Sequence, residues 1–257
     1  MISVCMATYN GEKYIAEQVK SIIAQLRQED ELVISDDGST DKTLEILEKF
    51  NDKRIKIFNH NRLDVKIPFY LRSRLTNKFY YITKNFENAL KNAKGDYIFL
   101  SDQDDIWQPK KIETMLQFLD KDELVICDAW VVNDDMEKQY KLSDYIIYKK
   151  GFWRNITRKS SYWGCLFAFT KNIKNFVLPI PRNVITHDFW LGLLSELKFS
   201  SIYVSEPLVL YRRHTNVVSS IDISSQRSLN SVFFIFRYRF FLLIEALKRY
   251  ILRCKCC

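Results

Sequence analysis

The sequence predicts an α/β fold: a Rossmann-like, mostly parallel sheet flanked by helices, followed by an amphipathic helical tail. Three observations carry that expectation. Short apolar runs alternate with segments whose apolar residues recur at helical spacing. Polar turn residues close each of the early runs, as at Thr8-Tyr9-Asn10-Gly11 and Asp36-Asp37-Gly38-Ser39. Repeated strand–helix alternation favours parallel strands with helices on both faces.

The elements follow in order. Residues 2–7 are a first strand, and Ile15, Val19, Ile22, Ile23 and Leu26 mark a helix behind it. Leu32-Val33-Ile34 is a second strand. Thr40 or Asp41 can cap the next helix, whose apolar face is Leu44, Leu47 and Phe50. Residues 55–58 form a shorter third strand. A helix through residues 88–93 leads to Gly95 and the apolar run Tyr97-Ile98-Phe99-Leu100. Pro109 opens a helix carrying Ile112, Met115, Leu116 and Leu119, and residues 124–132 are another strand. Two segments break the rhythm: residues 60–84, read as a long basic and aromatic loop, and residues 138–158, polar and aromatic. The apolar stretch 164–169 and a helix over 189–197 complete the body.

Composition narrows the function. A chain of 257 residues with 47% hydrophobic and 27% charged residues holds one large domain, read as residues 1–220, plus a tail, 221–257. The net charge is +8, but residues 225–257 hold seven basic side chains against the single acid Glu245. The body is therefore near neutral, which argues against nucleic acid as a partner. The tail adds Phe233, Phe234, Phe236, Tyr238, Phe240 and Phe241 to that charge. It is too short and too interrupted by arginine to span a bilayer, and it suits a helix lying in the membrane interface. The competing expectation is a helix packed on the body with its arginine heads in water. Cys5, Cys127 and Cys165 sit in apolar runs as small hydrophobes, while Cys254, Cys256 and Cys257 belong to a frayed terminus. The opening strand leaves no secretory signal, so a reducing cytoplasm is the expected compartment.

The chemistry concentrates at Ser101-Asp102-Gln103-Asp104-Asp105-Ile106-Trp107. A buried strand delivers three carboxylates to its own C-terminal end, where ligands of open α/β sheets collect. Like charges so close call for a cation between them, and hard oxygen donors suit Mg²⁺ or Mn²⁺ together with substrate phosphates. A solvated acidic turn is the alternative. No Gly-x-Gly-x-x-Gly follows the first strand and no phosphate loop occurs, so dehydrogenase and P-loop readings lose their signatures. Tyr9 and Asp37, at neighbouring strand ends, can stack on a nucleobase and accept from a base or ribose.

Taken together these pieces resemble the bacterial glycosyltransferase family 2, with a GT-A fold. The resemblance runs in family order over roughly residues 1–220: Thr8-Tyr9-Asn10-Gly11, residues 35–41, residues 95–100, the Asp102–Trp107 segment with Pro109, Trp163-Gly164-Cys165, Thr186-His187-Asp188-Phe189-Trp190 and Tyr211-Arg212-Arg213-His214. The Asp-Gln-Asp-Asp-Ile-Trp form is particularly like surface-polysaccharide transferases of rhamnosyltransferase type. The resemblance implies an inverting transfer from a nucleotide-diphosphate sugar to a lipid-linked or saccharide acceptor, assisted by Mn²⁺ or Mg²⁺. It implies that residues 1–107 mainly bind the donor and residues 108–220 the acceptor and the base. Thr8, Tyr9, Asp37, Asn85 and Asp102 would then contact the donor. Asp104 would be the firmer metal ligand, with Asp102 and His214 beside it. Asp188 would be the general base, and Gly164, Cys165, Trp107, Arg212 and Arg213 would serve acceptor or phosphate. Asn85-Phe86-Glu87 stands where many relatives carry an Arg-Asn pair, and segment 60–84 is longer than in similar chains. A sugar nucleotidyltransferase and a non-catalytic, membrane-docked polysaccharide-binding module are the competing readings.

Overall fold

The computed structural model describes residues 1–69, 74–119, 123–158, 160–213 and 232–254. Its centre is a sheet of nine strands among the described residues. Four of them form a parallel block in the order β3 (Ile55–Asn59), β2 (Glu31–Asp36), β1 (Ile2–Thr8), β4 (Tyr97–Ser101). β1 and β2 are almost wholly buried, as near-continuous apolar runs must be when helices cover both faces. The crossover helices are α1 (Ile15–Ile23), α2 (Thr43–Glu48) and α3 (Arg74–Asn92). α1 buries Ile15, Val19 and Ile22 against the sheet.

Beyond β4 the sheet is mixed. β8 (Phe167–Thr170) pairs antiparallel with both β4 and β6 (Glu123–Val132). It leaves the 3-10 turn Gly164–Leu166 directly, with no crossover helix to return it parallel. β9 (Ser200–Arg212) runs parallel to β6, and the two-residue β5 (Ile106–Trp107) pairs antiparallel with β9. β7 (Lys138–Lys141) adds a hairpin edge to β6. The remaining helices are α4 (Lys111–Leu116), α5 (Phe152–Thr157), α6 (Lys171–Val177), α7 (His187–Lys198) and α8 (Val232–Cys254).

One expectation needs correction, and the tail needs a finer description. Segment 60–84 is not one long loop, because α3 begins at Arg74. Tyr80, Thr83 and Phe86 are its inward residues, and a tyrosine and a threonine on the core face disguised the helical period. The tail forms the expected helix, yet it packs on the body. Leu242 and Ala246 are buried, and the Tyr238 hydroxyl accepts a hydrogen bond from Ile185 N at 3.1 Å. Arg249 donates to Phe176 O at 2.9 Å and Leu178 O at 2.6 Å, Arg239 donates to Arg158 O, and Arg253 donates to Asn175 O. Three of the seven basic side chains expected to meet lipid therefore satisfy backbone carbonyls instead. The opposite face leaves Phe236, Phe240, Leu247 and Ile251 exposed. Among the described residues no helix is long and apolar enough to cross a membrane. His214, residues 225–231 and the terminal Lys255-Cys256-Cys257 lie outside the described residues.

Candidate active site

Parallel register builds the site. Thr8 pairs with Asp36 and Met6 with Ser101, so β2, β1 and β4 end together and present Asp37, Tyr9 and Asp102 along one edge. The edge is held by its own polar groups. Thr8 Oγ1 donates to Asp36 Oδ1 at 2.9 Å, and Thr8 O accepts from Asp37 N at 2.9 Å and Asn85 Nδ2 at 3.0 Å. Asp36 Oδ2 accepts from Gly38 N and Ser39 N at 3.1 and 2.8 Å, which closes the turn after β2. Gly38 sits there at φ +79°, a conformation that a side chain resists.

Above this edge lies a cavity of about 530 Å³, within the usual range for a ligand site. Thr8, Tyr9, Asp37, Asn85, Asp102, Asp104, Gly164, Cys165, Asp188 and Arg212 all line it. Trp107 does not. It is buried against Phe99, with Lys111 Nζ 4.1 Å from its ring centroid, and is a core residue. Arg213 is also absent from the lining and donates to the Tyr140 hydroxyl at 3.1 Å. Arg212 works on the carboxylate loop: its N–H meets Asp105 Oδ1 at 3.2 Å, its Nε the Asp104 carbonyl at 3.1 Å and its Nη2 Glu17 at 2.6 Å.

The carboxylate loop is electrostatically loaded. Burial, then the neighbouring Asp104 and Asp188 charges, push Asp102 up to about 7. Burial and the charges of Asp104 and Asp102 push Asp105 well above the ordinary carboxylate range. Asp105 Oδ2 is buried with no hydrogen-bond partner among the described residues. Asp102, Asp105 and Cys165 each place one ligand atom within 4.8 Å of the others. Burial holds the Cys165 thiol well above its usual range, so it stays a neutral, soft group. The carboxylates, hard donors crowded together so that each raises its neighbour, fit a divalent cation of the Mg²⁺ or Mn²⁺ kind, and the thiol does not.

Asp188 reaches the cavity from the first turn of α7. Its Oδ1 accepts from Phe189 N at 2.7 Å, and burial pushes its carboxyl up to about 6. The start of α7 is fixed by α3: Thr83 Oγ1 accepts from His187 N at 3.0 Å and donates to Ile185 O at 2.6 Å. The His187 ring stacks on Phe86 with centroids 4.1 Å apart, and burial lowers it to about 3, so it is neutral. Gly164 permits this packing, since a Cβ there would stand 2.8 Å from His187 Nε2 and 3.5 Å from Asp188 Cβ.

Several site residues escaped the sequence reading. Gln103 clamps Tyr9, accepting from Tyr9 N at 2.9 Å and donating to Tyr9 O at 3.2 Å. Gln18 donates to Ser101 Oγ at 2.7 Å and Asp102 O at 3.2 Å. Buried Lys111 donates to Cys165 O at 2.9 Å beneath the acidic loop. His60 and Arg62 both engage Asp37. The one available signal was positional: a histidine and an arginine follow the third strand at the end of the sheet where ligands gather.

Comparison with known proteins agrees with this architecture. The chain is 32% identical over 242 residues to the dTDP-rhamnosyl transferase RfbG of Shigella flexneri, covering 85% of this chain and 75% of that protein. S. aureus TarS 1–349 in complex with UDP-GlcNAc superposes with a TM-score of 0.61 at 19% identity, over 97% of this chain and 72% of that one. In another TarS 1–349 structure the matched share of that chain is 60%. The mannosyltransferase PcManGT from Pyrobaculum calidifontis, in complex with GDP-Man and Mn²⁺, gives a TM-score of 0.56 at 16% identity, over 84% and 57%. The sequence profile of Glycosyl transferase family 2 matches residues 3–66 and 73–175, more than half of the chain. With that match and the parallel GT-A-like sheet beneath the cavity, the chain belongs to glycosyl transferase family 2 and is a glycosyltransferase.

Proposed function

We propose that this glycosyltransferase moves a hexosyl or deoxyhexosyl unit, with inversion, from a nucleoside-diphosphate sugar to an acceptor hydroxyl in bacterial surface-polysaccharide synthesis. The observation that carries the reading is the partly buried Asp188 carboxyl, raised to about 6, in the same cavity as the Asp102–Asp105 carboxylates and the strand-end pair Tyr9 and Asp37. Residues 1–107 bind the donor: Tyr9 stacks on the base, Asp37 accepts from base or ribose, and Thr8 and Asn85 hold the edge that positions both. Residues 108–220 supply the base and the acceptor side, where Gly164 and Cys165 form the floor. Arg212 positions the carboxylate loop from beneath.

Asp102 and Asp104 hold a divalent cation, which when bound offsets the charge of the departing diphosphate. The bound Mn²⁺ of PcManGT and the crowding of like charges that raises Asp102 support that assignment. Asp188 takes the proton from the acceptor hydroxyl as its oxygen forms a bond to the anomeric carbon. The bond from that carbon to the diphosphate oxygen breaks on the opposite face, and its electron pair leaves with the nucleoside diphosphate. A carboxyl that titrates near 6 is ionised at neutral pH and more basic than an ordinary aspartate. Holding the two substrates in line supplies further acceleration.

The exposed stripe of α8 faces the cytoplasmic leaflet of the membrane, where a lipid-linked acceptor is presented. Phe236, Phe240, Leu247 and Ile251 fall on one side of the helix, with Arg237 and Lys248 beside them to meet anionic headgroups. The deciding experiment is nucleoside-diphosphate release from a panel including dTDP-rhamnose and UDP-GlcNAc, with Mn²⁺ or Mg²⁺. Release in the wild type that is lost with chelator and in Asp188→Asn supports the reading. Release indifferent to both overturns it.

A further inference from the structure

The nucleobase end of the cavity is filled by the protein's own side chains. Arg62 opens the 3-10 turn Arg62–Asp64, which follows β3. Its guanidinium carbon lies 3.6 Å from the centroid of the Tyr9 ring and 4.8 Å from that of Tyr81. A guanidinium is planar, stacks on aromatic faces as a base does, and carries N–H donors on its edge. Arg62 uses that edge on Asp37, donating from Nε to Oδ2 at 2.8 Å. His60 Nδ1 stands 2.9 Å from the other oxygen, Oδ1. Both groups assigned above to the base, the Tyr9 face and the Asp37 carboxylate, are therefore already engaged by one loop. Asp37 is buried, and an unpaired carboxylate there is costly, so it needs a positive partner or another donor whenever the cavity is empty.

We propose that Arg62 is a resident stand-in for the nucleobase. The place that Arg62 fills against Tyr9, with Tyr81 nearby, takes the base of a nucleoside diphosphate, and Arg62 leaves that slot when the donor enters. The exchange is like for like: a flat group with N–H donors replaces a flat group with N–H donors, against the same Tyr9 face and on the same carboxylate. The inference rests on the donor reading of Tyr9 and Asp37 and adds Tyr81 as a neighbouring ring and Arg62 as the competitor. Its consequence is a handicap on affinity, since only molecules with Arg62 displaced can bind, and apparent affinity falls by that fraction.

The test is titration calorimetry of the full chain with UDP and dTDP in Mg²⁺, using wild type, Arg62→Ala, Tyr81→Ala, Tyr9→Ala and Asp37→Asn. Loss of an arginine also removes a charge that attracts phosphate. Uncharged uridine and thymidine are therefore titrated in parallel by NMR. With the slot vacated in advance, Arg62→Ala binds the nucleosides about tenfold more tightly than wild type. Tyr81→Ala and Tyr9→Ala bind them more weakly. In the wild type, the Arg62 Nε–H resonance, identified by its loss in Arg62→Gln, shifts as nucleoside is added. If Arg62→Ala binds nucleosides equally or less tightly while Tyr9→Ala and Asp37→Asn still lose binding, Arg62 is not a stand-in and the donor site survives. If Tyr9→Ala and Asp37→Asn bind as the wild type does, the donor site itself is misplaced and the stand-in falls with it. Should Arg62→Ala fail to fold, the resonance decides: a signal unmoved at saturating nucleoside overturns the exchange.

Discussion

Asp188 makes the sharpest prediction because its titration lies where an ordinary aspartate's does not. An aspartate in water titrates near 3.9, so a base of that kind stays more than nine-tenths ionised at pH 5. Burial pushes Asp188 up to about 6. The ionised fraction is then about a half at pH 6 and about a tenth at pH 5, and the rate falls in the same proportion, since a general base acts only when deprotonated. The assay is nucleoside-diphosphate release measured as kcat/KM from pH 5 to 8 in saturating Mn²⁺. Saturating cation keeps Asp102 ionised and removes its limb from the profile, because a bound positive charge favours the carboxylate. Between pH 7 and pH 5 the rate should drop about tenfold. Asp188→Asn should lower kcat by about 10²–10⁴-fold, leave donor affinity near that of the wild type and abolish the limb in the residual activity. A flat profile down to pH 5 would refute the reasoning, as would a limb that survives unchanged in Asp188→Asn.

Other consequences can be checked directly. The folded-state pKa of Asp102 is raised to about 7, so its contribution to stability is fully present below about pH 4, where both states are protonated, and is lost as pH rises through 7. Asp102→Asn should therefore raise the Tm of metal-free protein at pH 8, leave it nearly unchanged at pH 4, and lose that advantage when Mn²⁺ is added; thermal scans at the two pH values measure this. Gly164→Ala would set a Cβ 2.8 Å from His187 Nε2, so the first turn of α7 should shift, with kcat falling more than donor affinity in the release assay. Replacing Phe236, Phe240, Leu247 and Ile251 by serine should leave the Tm near that of the wild type, because these side chains are exposed, and should abolish sedimentation with anionic vesicles. Deleting α8 is a poorer test: it removes the buried Leu242 and Ala246 and the Tyr238 contact to Ile185, so the fold itself should suffer.

The body's alternation of strands and helices was legible in sequence because covered parallel strands must be apolar throughout and their helices must carry one apolar face. The strand-end residues Tyr9, Asp37 and Asp102 were legible for the same reason: a turn after a buried run has one place to go. By itself the sequence determined the four alternating strands of a mostly parallel sheet, the carboxylate loop that follows the fourth of them and the family to which the chain belongs; the order β3-β2-β1-β4 came from the structure. It did not determine the antiparallel entry of β8, the helical start of α3, or which face of α8 meets the body, because each depends on partners far along the chain. Nor could local pattern show that Trp107 points into the core while Asp188 points into the cavity. Only the tertiary structure placed Arg62 against Tyr9 and near Tyr81, Gln103 against the Tyr9 backbone, and Arg212 on the carboxylate loop. A side chain's partner is set by the register and crossing of whole elements, and charge at a strand end is visible in one dimension, whereas what neutralises it is a fact of three.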